Sequence, residues 1–140
     1  MIPKDKYAEI MKALPILCVD IIIKNTSNEY LLIKRAYEPL KGVWWVAGGR
    51  VLKGETLEQA AKRKVKEEIG VIVDVVYPVG YYEDVFETNP FGLSTPLHSV
   101  SLVFSTIINN DNGILLDDQS TDWKYSKELP LKFKIKSFGS

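Results

Sequence analysis

Residues 48 to 71 read GGRVLKGETLEQAAKRKVKEEIGV, which is a glycine pair, a short polar segment and a long amphipathic stretch. The pattern predicts a helix over residues 56–69. Thr56 and Gln59 have the spacing of a capping box, and Gly70 is a typical residue at a helix end. The predicted helix has one apolar stripe, so it should bury that face against a sheet. The stripe consists of Leu57, Ala60, Ala61, Val65 and Ile69.

The charged end of this helix predicts a binding site. Glu67 and Glu68 are adjacent, about 100° apart around the helix axis, and can flank one edge of it. Arg63 lies four residues before Glu67, and Lys64 lies four residues before Glu68, so each pair is one turn apart. Mg²⁺ prefers carboxylate and carbonyl oxygens together with substrate phosphates. Two acids beside a glycine backbone and arginines therefore suit a metal and diphosphate site.

The rest of the chain is predicted to be rich in strands, which makes a single α+β domain over residues 1–140. The strands at 16–24 and 30–35 should form a hairpin around the turn at 25–28. Other predicted elements are a short helix at 5–14, strands at 42–46, 71–79, 80–86 and 98–108, a loop at 87–96, a turn at 109–113, a helical turn at 127–129 and an edge strand at 131–136.

Composition excludes several classes of protein. The chain has 140 residues with 18 Lys and Arg against 18 Asp and Glu. Zero net charge argues against nucleic-acid or membrane binding through bulk charge, and no apolar run is long enough to span a bilayer. Cys18 is the only cysteine, so an intrachain disulfide is excluded and a small buried hydrophobe in a strand is expected. The N-terminus has no secretory signal pattern, and a cytoplasmic location is expected.

The spacing of Gly49, Glu55, Arg63 and residues 67–71 closely resembles the Nudix box, Gly-x5-Glu-x7-Arg-Glu-apolar-x-Glu-Glu-x-Gly-apolar. Every defined position matches except one, where Lys64 stands in place of the glutamate after the arginine. The resemblance implies a Nudix fold, a mixed β-sheet with the box helix packed against it. It also implies a single Nudix hydrolase domain over residues 1–140.

A wider part of the chain, roughly residues 14 to 130, is similar to the GDP-mannose mannosyl hydrolase branch of this family. This resemblance implies hydrolysis of a GDP-sugar to GDP and free sugar, with water attacking the sugar carbon. It also implies a Mg²⁺ cofactor (with Mn²⁺ as a substitute), a small nucleotide-sugar substrate and a homodimer. The similar segments are residues 14–20, 31–35, 42–51, 117–119, 122–125 and 128–130.

The resemblance also implies a set of metal ligands. They are the Gly48 carbonyl, Glu68 and Gln119, and Glu67 is a further candidate beside Glu68. Lys64 cannot bind a metal, and its charge offsets part of the negative charge that a second Mg²⁺ would need. We therefore favour one metal ion over two or three.

The same resemblance implies that the substrate-binding residues are Asp20, Arg35 and Arg50. The two arginines would contact the diphosphate and the leaving group, and Asp20 would help to hold the sugar or the base. Arg63 matches a box arginine that orients the site. The candidate catalytic residues are thus Arg35, Arg50, Arg63 and Glu68. Glu55 is interpreted as a structural or outer carboxylate rather than a ligand.

The sequence leaves the general base open. The branch has a histidine where this chain has Ser120. The resemblance also aligns a second branch histidine with Asp84, and a branch tyrosine that helps to stabilise the leaving diphosphate with Ser99. Replacement candidates are His98, Glu83, Asp84, Asp117, Asp118 and Asp122. Two other functions remain as alternatives, namely nucleotide pyrophosphohydrolase chemistry with attack at phosphorus and a non-catalytic nucleotide-sugar-binding module. The aromatic residues Trp44, Trp45, Tyr81, Tyr82 and Phe86 are expected in the core, with base stacking as the alternative.

Overall fold

A computed structural model of the chain describes residues 2–37, 40–86, 97–109, 113–130 and 135–138. The helices are α1 (Lys4–Ala13) and α2 (Leu57–Ile69). The strands are β1 (Ile16–Lys24), β2 (Tyr30–Arg35), β3 (Trp44–Trp45), β4 (Ala47–Arg50), β5 (Tyr77–Phe86), β6 (Leu97–Ile107), β7 (Ser120–Ser126) and β8 (Lys136–Ser137).

The strands form one mixed sheet with β1 at its centre. The order is β3-β2-β1-β6-β5-β8, while β4 also pairs with β1 and β7 with β2. Strands β1 and β6 run parallel, and the other described pairs are antiparallel. The α+β class and the mixed sheet predicted from the sequence are confirmed.

The predicted hairpin of β1 and β2 forms only at its turn. Asn25 Oδ1 accepts hydrogen bonds from two later backbone N–H groups, and Asn28 adopts a φ of 63°. Beyond the pair Lys24–Tyr30 the two strands diverge. Strand β1 continues with β4 and β6, and β2 continues with β3 and β7. Long-range pairing therefore overrides the local hairpin.

Other expectations from the sequence also differ from the structure. The strand expected at 71–79 begins only at Tyr77, where the pairing with β6 starts opposite Ser105. Residues 127–129 form a bend and no helical turn. Strand β7 was not predicted, although Trp123 and Tyr125 alternate with polar residues and pack on the core.

Three further predictions fall wholly or mainly outside the described residues. They are the loop at 87–96, the turn at 109–113 and the edge strand at 131–136, of which only residues 135 and 136 are described.

The two helices cover opposite faces of the sheet. The apolar stripe of α2 packs on alternate residues of β1, including Val19 and Ile21, which are fully buried. On the other face Met11 of α1 packs with Ile16 and Leu97. Burying a side chain of this size contributes about 1.5–3 kcal/mol, so these contacts anchor both helices. In the described part of the chain no helix is both long and apolar enough to cross a membrane.

Candidate active site

Both ends of helix α2 are held as the sequence predicts. Thr56 Oγ1 accepts a hydrogen bond from the N–H of Gln59 at 3.1 Å, and Gln59 Oε1 accepts one from the N–H of Thr56 at 2.9 Å. Gly70 ends the helix with a φ of 70°, a left-handed conformation that glycine adopts without strain. The last two turns therefore present their charged side chains at a defined place. These side chains are Arg63, Lys64, Glu67 and Glu68.

Glu68 is a buried carboxylate of the site. Only 8% of Glu68 is exposed, and its Oε2 accepts a hydrogen bond from the N–H of Gly48 at 2.9 Å. Burial raises the pKa of Glu68 to about 7, against the opposing effects of the Lys64 ammonium and the Gly48 N–H. Asp117 and Asp20 lie close enough to raise it slightly further. Since a buried carboxylate is stabilised by a nearby cation, this position suits a metal ligand.

The two glycines of β4 have different roles. Gly48 pairs with Asp20 of β1. A Cβ on Gly48 would collide with the Asp20 carboxylate and lie 2.5 Å from the carbonyl oxygen of Val19, so the close approach requires glycine. A Cβ on Gly49 would lie 2.8 Å from Cε of Lys64, which is a flexible side chain. The first glycine thus brings β4 onto β1, and the second makes room for Lys64.

Glu67 is held by two cations. Arg63 Nη1 donates to both of its carboxylate oxygens, at 3.1 and 3.3 Å, and Lys64 Nζ lies 3.2 Å from Oε2. Partial burial on its own would raise the pKa of Glu67, but the two cations outweigh it and lower that pKa. Glu67 would have to exchange these partners in order to bind a metal.

Arg63 links the helix to the segment that precedes it. Its Nε and Nη2 donate to the two oxygens of Glu55, at 3.0 and 2.7 Å, and Nη2 also donates to the carbonyl of Arg50 at 2.9 Å. Glu55 Oε1 accepts a further hydrogen bond from the N–H of Leu52. These contacts fit the orienting role expected for Arg63 and the structural role expected for Glu55.

A second buried carboxylate belongs to Asp20, which is 7% exposed. The Tyr82 hydroxyl donates a hydrogen bond to its Oδ2. Burial raises the pKa of Asp20 to about 7; the hydrogen bonds from Tyr82 and Trp45 oppose this rise, and Asp84 adds to it. Sequence reasoning expected Tyr82 in the core or on a base and missed this contact.

Because side chains alternate along a strand, the candidate bases on β5 and β6 lie on two different faces of the sheet. Tyr82 and Asp84 are two residues apart on β5, so they share the sheet face on which Tyr82 contacts Asp20. Glu83 and His98 lie on the other face, where His98 Nε2 is 3.9 Å from Glu83 Oε2. Asp84 therefore lies on the face of Asp20, and His98 does not.

The two arginines expected at the diphosphate lie at the ends of different strands. Arg50 ends β4, and its guanidinium lies 4.3 Å above the ring of Tyr7 from helix α1. Arg35 ends β2, and its Nε donates to the carbonyl of Tyr37 at 3.0 Å. Helix α1 thus contributes a side chain beside Arg50, a contact that no local sequence pattern indicated.

Gln119 is exposed, and its side chain makes a local contact, while its carbonyl accepts a hydrogen bond from the N–H of Ala36 at 2.9 Å. Its Nε2 donates to Asp118 Oδ1 at 3.2 Å, and its N–H donates to Asp117 Oδ1 at 3.1 Å. Of these three residues it is Asp117 that affects the pKa of Glu68. Within the described ranges, no three His, Cys, Asp or Glu side chains converge as a metal cage would require. A cation here would combine Glu68 with backbone, amide or substrate oxygens, a donor set that suits Mg²⁺.

Two of the other aromatic residues have partners within the protein. Lys124 Nζ lies 4.3 Å and Lys34 Nζ 5.8 Å from the ring centre of Trp44. Tyr81 stacks on Phe138 with ring centres 5.9 Å apart. Both rings are partly buried and have a neighbour within the protein.

Comparison of the sequence with known proteins identifies the family. The model of the NUDIX domain matches residues 14–132. Low-salt glycan biosynthesis protein Agl8 of Haloferax volcanii is 32% identical over 123 residues, which cover 88% of this chain and 78% of that protein. ADP-ribose pyrophosphatase of Methanocaldococcus jannaschii is 41% identical over 90 residues, 64% of this chain and 49% of that protein.

A solved structure agrees with these sequence matches at the level of the fold. The MutT NUDIX hydrolase from Burkholderia pseudomallei superposes with a TM-score of 0.70 at 22% identity, covering 86% of this chain and 91% of that one. The Nudix fold expected from the box residues is thereby confirmed.

Proposed function

Since the chain belongs to the NUDIX family, we propose that it is a Mg²⁺-dependent hydrolase of a nucleoside diphosphate sugar. The proposed substrate is GDP-mannose or a close analogue, and the products are GDP and the free sugar. The Haloferax relative supports a sugar substrate, because its name places that protein in glycan biosynthesis.

The observation that carries the proposal is that Glu67 and Glu68, at the end of helix α2, have different surroundings. Glu67 is held by Arg63 and Lys64, whereas Glu68 is buried beside Gly48. One carboxylate at a glycine backbone suits a single divalent cation better than a metal cluster. Glu68 and the Gly48 backbone would hold the Mg²⁺, and the ion would supply neutralisation of the charge that develops on the departing diphosphate.

The remaining site residues are assigned by their positions. Arg50 and Arg35 would hold the diphosphate, because a planar guanidinium donates well to phosphate oxygens. Asp20 and Tyr82 would bind hydroxyl groups of the sugar or polar edges of the base. Asp84 on the same face and Asp117 near Glu68 are the candidates for the base that activates water, since Ser120 stands in place of the branch histidine.

Product analysis tests the proposal. The protein is mixed with GDP-mannose and Mg²⁺ in ¹⁸O-labelled water. The products are then separated, and their masses are determined by mass spectrometry. The expected products are unlabelled GDP and sugar that carries the label. Formation of GMP and sugar phosphate, with the label on phosphate, would reject attack at the sugar carbon.

Attack at phosphorus is the second candidate, and the relative named ADP-ribose pyrophosphatase favours it. The same labelled reaction with ADP-ribose would then give AMP and ribose phosphate. A third possibility is a sensor module without turnover. It predicts a raised melting temperature with GDP-mannose and no product from either substrate. A homodimer is proposed as well, and light scattering of the native protein measures it.

A further inference from the structure

Lys64 lies between the two acids at the end of α2. Its Nζ is 3.2 Å from Glu67 Oε2 and 3.6 Å from Glu68 Oε1. The other oxygen of Glu68 accepts the N–H of Gly48 at 2.9 Å. Each oxygen of the buried carboxylate therefore has a partner, and one of the two partners is a cation of this chain itself.

The position of the ammonium is supported by packing. The side chain of Lys64 is 15% exposed, and a Cβ on Gly49 would lie 2.8 Å from its Cε and 3.2 Å from its Nζ. Lys62 on the same helix makes an ordinary surface pair with Glu58 at 3.1 Å, where the two side chains are 35% and 57% exposed. The contrast shows that Lys64 is held in the cleft and that Lys62 is not.

The other charged groups around Glu68 leave Lys64 as its neighbouring cation. Arg63 is occupied by Glu55 and Glu67, so it does not neutralise Glu68. Asp20 and Asp117 add negative charge nearby. Lys64 is thus the cation within salt-bridge distance of Glu68 among the described residues.

We propose that Lys64 is the resident counter-cation of Glu68, which it neutralises until a divalent ion displaces it. Lys64 would then weaken binding of the first metal ion and supply the positive charge that a second ion would otherwise bring. Lys64 is a positioning residue in this scheme, because it acts through Glu68. The inference rests on the proposed metal site.

Titration with Mn²⁺ alone, followed by electron paramagnetic resonance, tests the proposal. The wild type should bind one ion per chain. Lys64→Met should bind one ion roughly tenfold more tightly, because a competing charge is gone. Lys64→Glu should bind two ions. Lys64→Arg keeps the charge and should resemble the wild type, as should the matched control Lys62→Met.

Thermal melting in EDTA gives a second readout that is independent of activity. Lys64→Met should melt at a lower temperature than the wild type, because Glu68 loses its counter-ion. After the EDTA has been removed, added Mn²⁺ should raise the melting temperature of the variant by more than it raises that of the wild type. If Lys64→Met does not fold, Lys64→Gln is used in both measurements.

The outcomes distinguish a wrong role for Lys64 from the absence of a metal site. If the wild type binds Mn²⁺ and the neutral variant binds it equally or more weakly, Lys64 is not a competitor and the inference is wrong while the metal site stands. If Lys64→Glu binds a single ion, the role of Lys64 as a substitute for a second ion is wrong. If no protein binds Mn²⁺, the metal site and the inference both fail.

Discussion

Arg63 and Glu55 form a two-bond ion pair, with Nε to Oε2 at 3.0 Å and Nη2 to Oε1 at 2.7 Å. Their side chains are 25% and 15% exposed, so water and salt screen this pair less than an ordinary surface pair. The guanidinium also holds the carbonyl of Arg50. The pair therefore fastens the end of β4 to the middle of α2.

Removing Arg63 should destabilise the fold. For Arg63→Met we expect the free energy of unfolding to fall by about 2–3 kcal/mol, because Glu55 loses both charged hydrogen bonds. Urea denaturation followed by circular dichroism measures it. Lys62→Met removes an exposed pair on the same helix and should cost less than about 0.5 kcal/mol. Equal losses in the two variants would contradict a structural role for Arg63.

The same pair predicts a loss of stability in acid. The hydrogen bonds from Arg63 lower the pKa of Glu55 below its ordinary value of 4.5. The unfolded chain therefore takes up this proton at a higher pH than the folded protein does. The stability that Glu55 contributes is present above about pH 4.5 and is lost as the pH falls through its folded pKa.

Glu55→Gln checks the sign of this effect. Unfolding free energies measured between about pH 6 and pH 3 should decline less steeply for the variant than for the wild type. Glu58→Gln, which alters an exposed pair, should keep the wild-type slope. An unchanged slope in Glu55→Gln would show that the Arg63 contact is not formed in solution.

Asp20 predicts the opposite dependence on pH. Its folded pKa is raised to about 7 from 3.8, so the unfolded chain releases this proton first as the pH rises. The contribution of Asp20 to stability is greatest below about pH 4. It is lost progressively as the pH rises from about 4 to about 7.

Asp20→Asn removes this titration. In metal-free buffer the variant should gain stability relative to the wild type as the pH is raised from about 4 to 8, with a total gain on the order of a few kcal/mol. The comparison is made by urea unfolding at several pH values. Glu83→Gln changes an exposed acid on the opposite face and is the control. A constant difference across this range would rule out a buried, ionisable Asp20.

The two glycines of β4 give a matched pair of variants. Gly48→Ala should lower stability by about 2 kcal/mol or more, because the new methyl group meets the backbone of β1. Gly49→Ala meets only the side chain of Lys64, so it should cost less than about 1 kcal/mol. Thermal melts of both variants distinguish these effects. Comparable losses would show that β4 can shift away from β1.

Features with local causes were predictable from the sequence. The capping box, the apolar stripe and the terminal glycine of α2 each act within one or two helical turns, so the helix and its charged end follow from residues 56–70. The ion pair between Arg63 and Glu67 follows in the same way, because residues four apart on a helix are neighbours.

Features with distant causes were not predictable in this way. The contact between Asp20 and Tyr82 joins residues 62 positions apart, and it depends on β6 lying between their strands. The divergence of β1 from β2 depends on β4 and β7 as competing partners. Periodicity within one segment carries no information about such choices of partner.

The parallel pairing of β1 with β6 affects how the protein forms during translation. Ile16 pairs with Ser99, which is 83 positions later, so a ribosome must release most of the chain before the central strand gains this neighbour. Helix α2 emerges much earlier and has no distant requirement for its caps. The residues of the charged helix end are therefore synthesised well before strand β6, which completes the sheet beside Asp20.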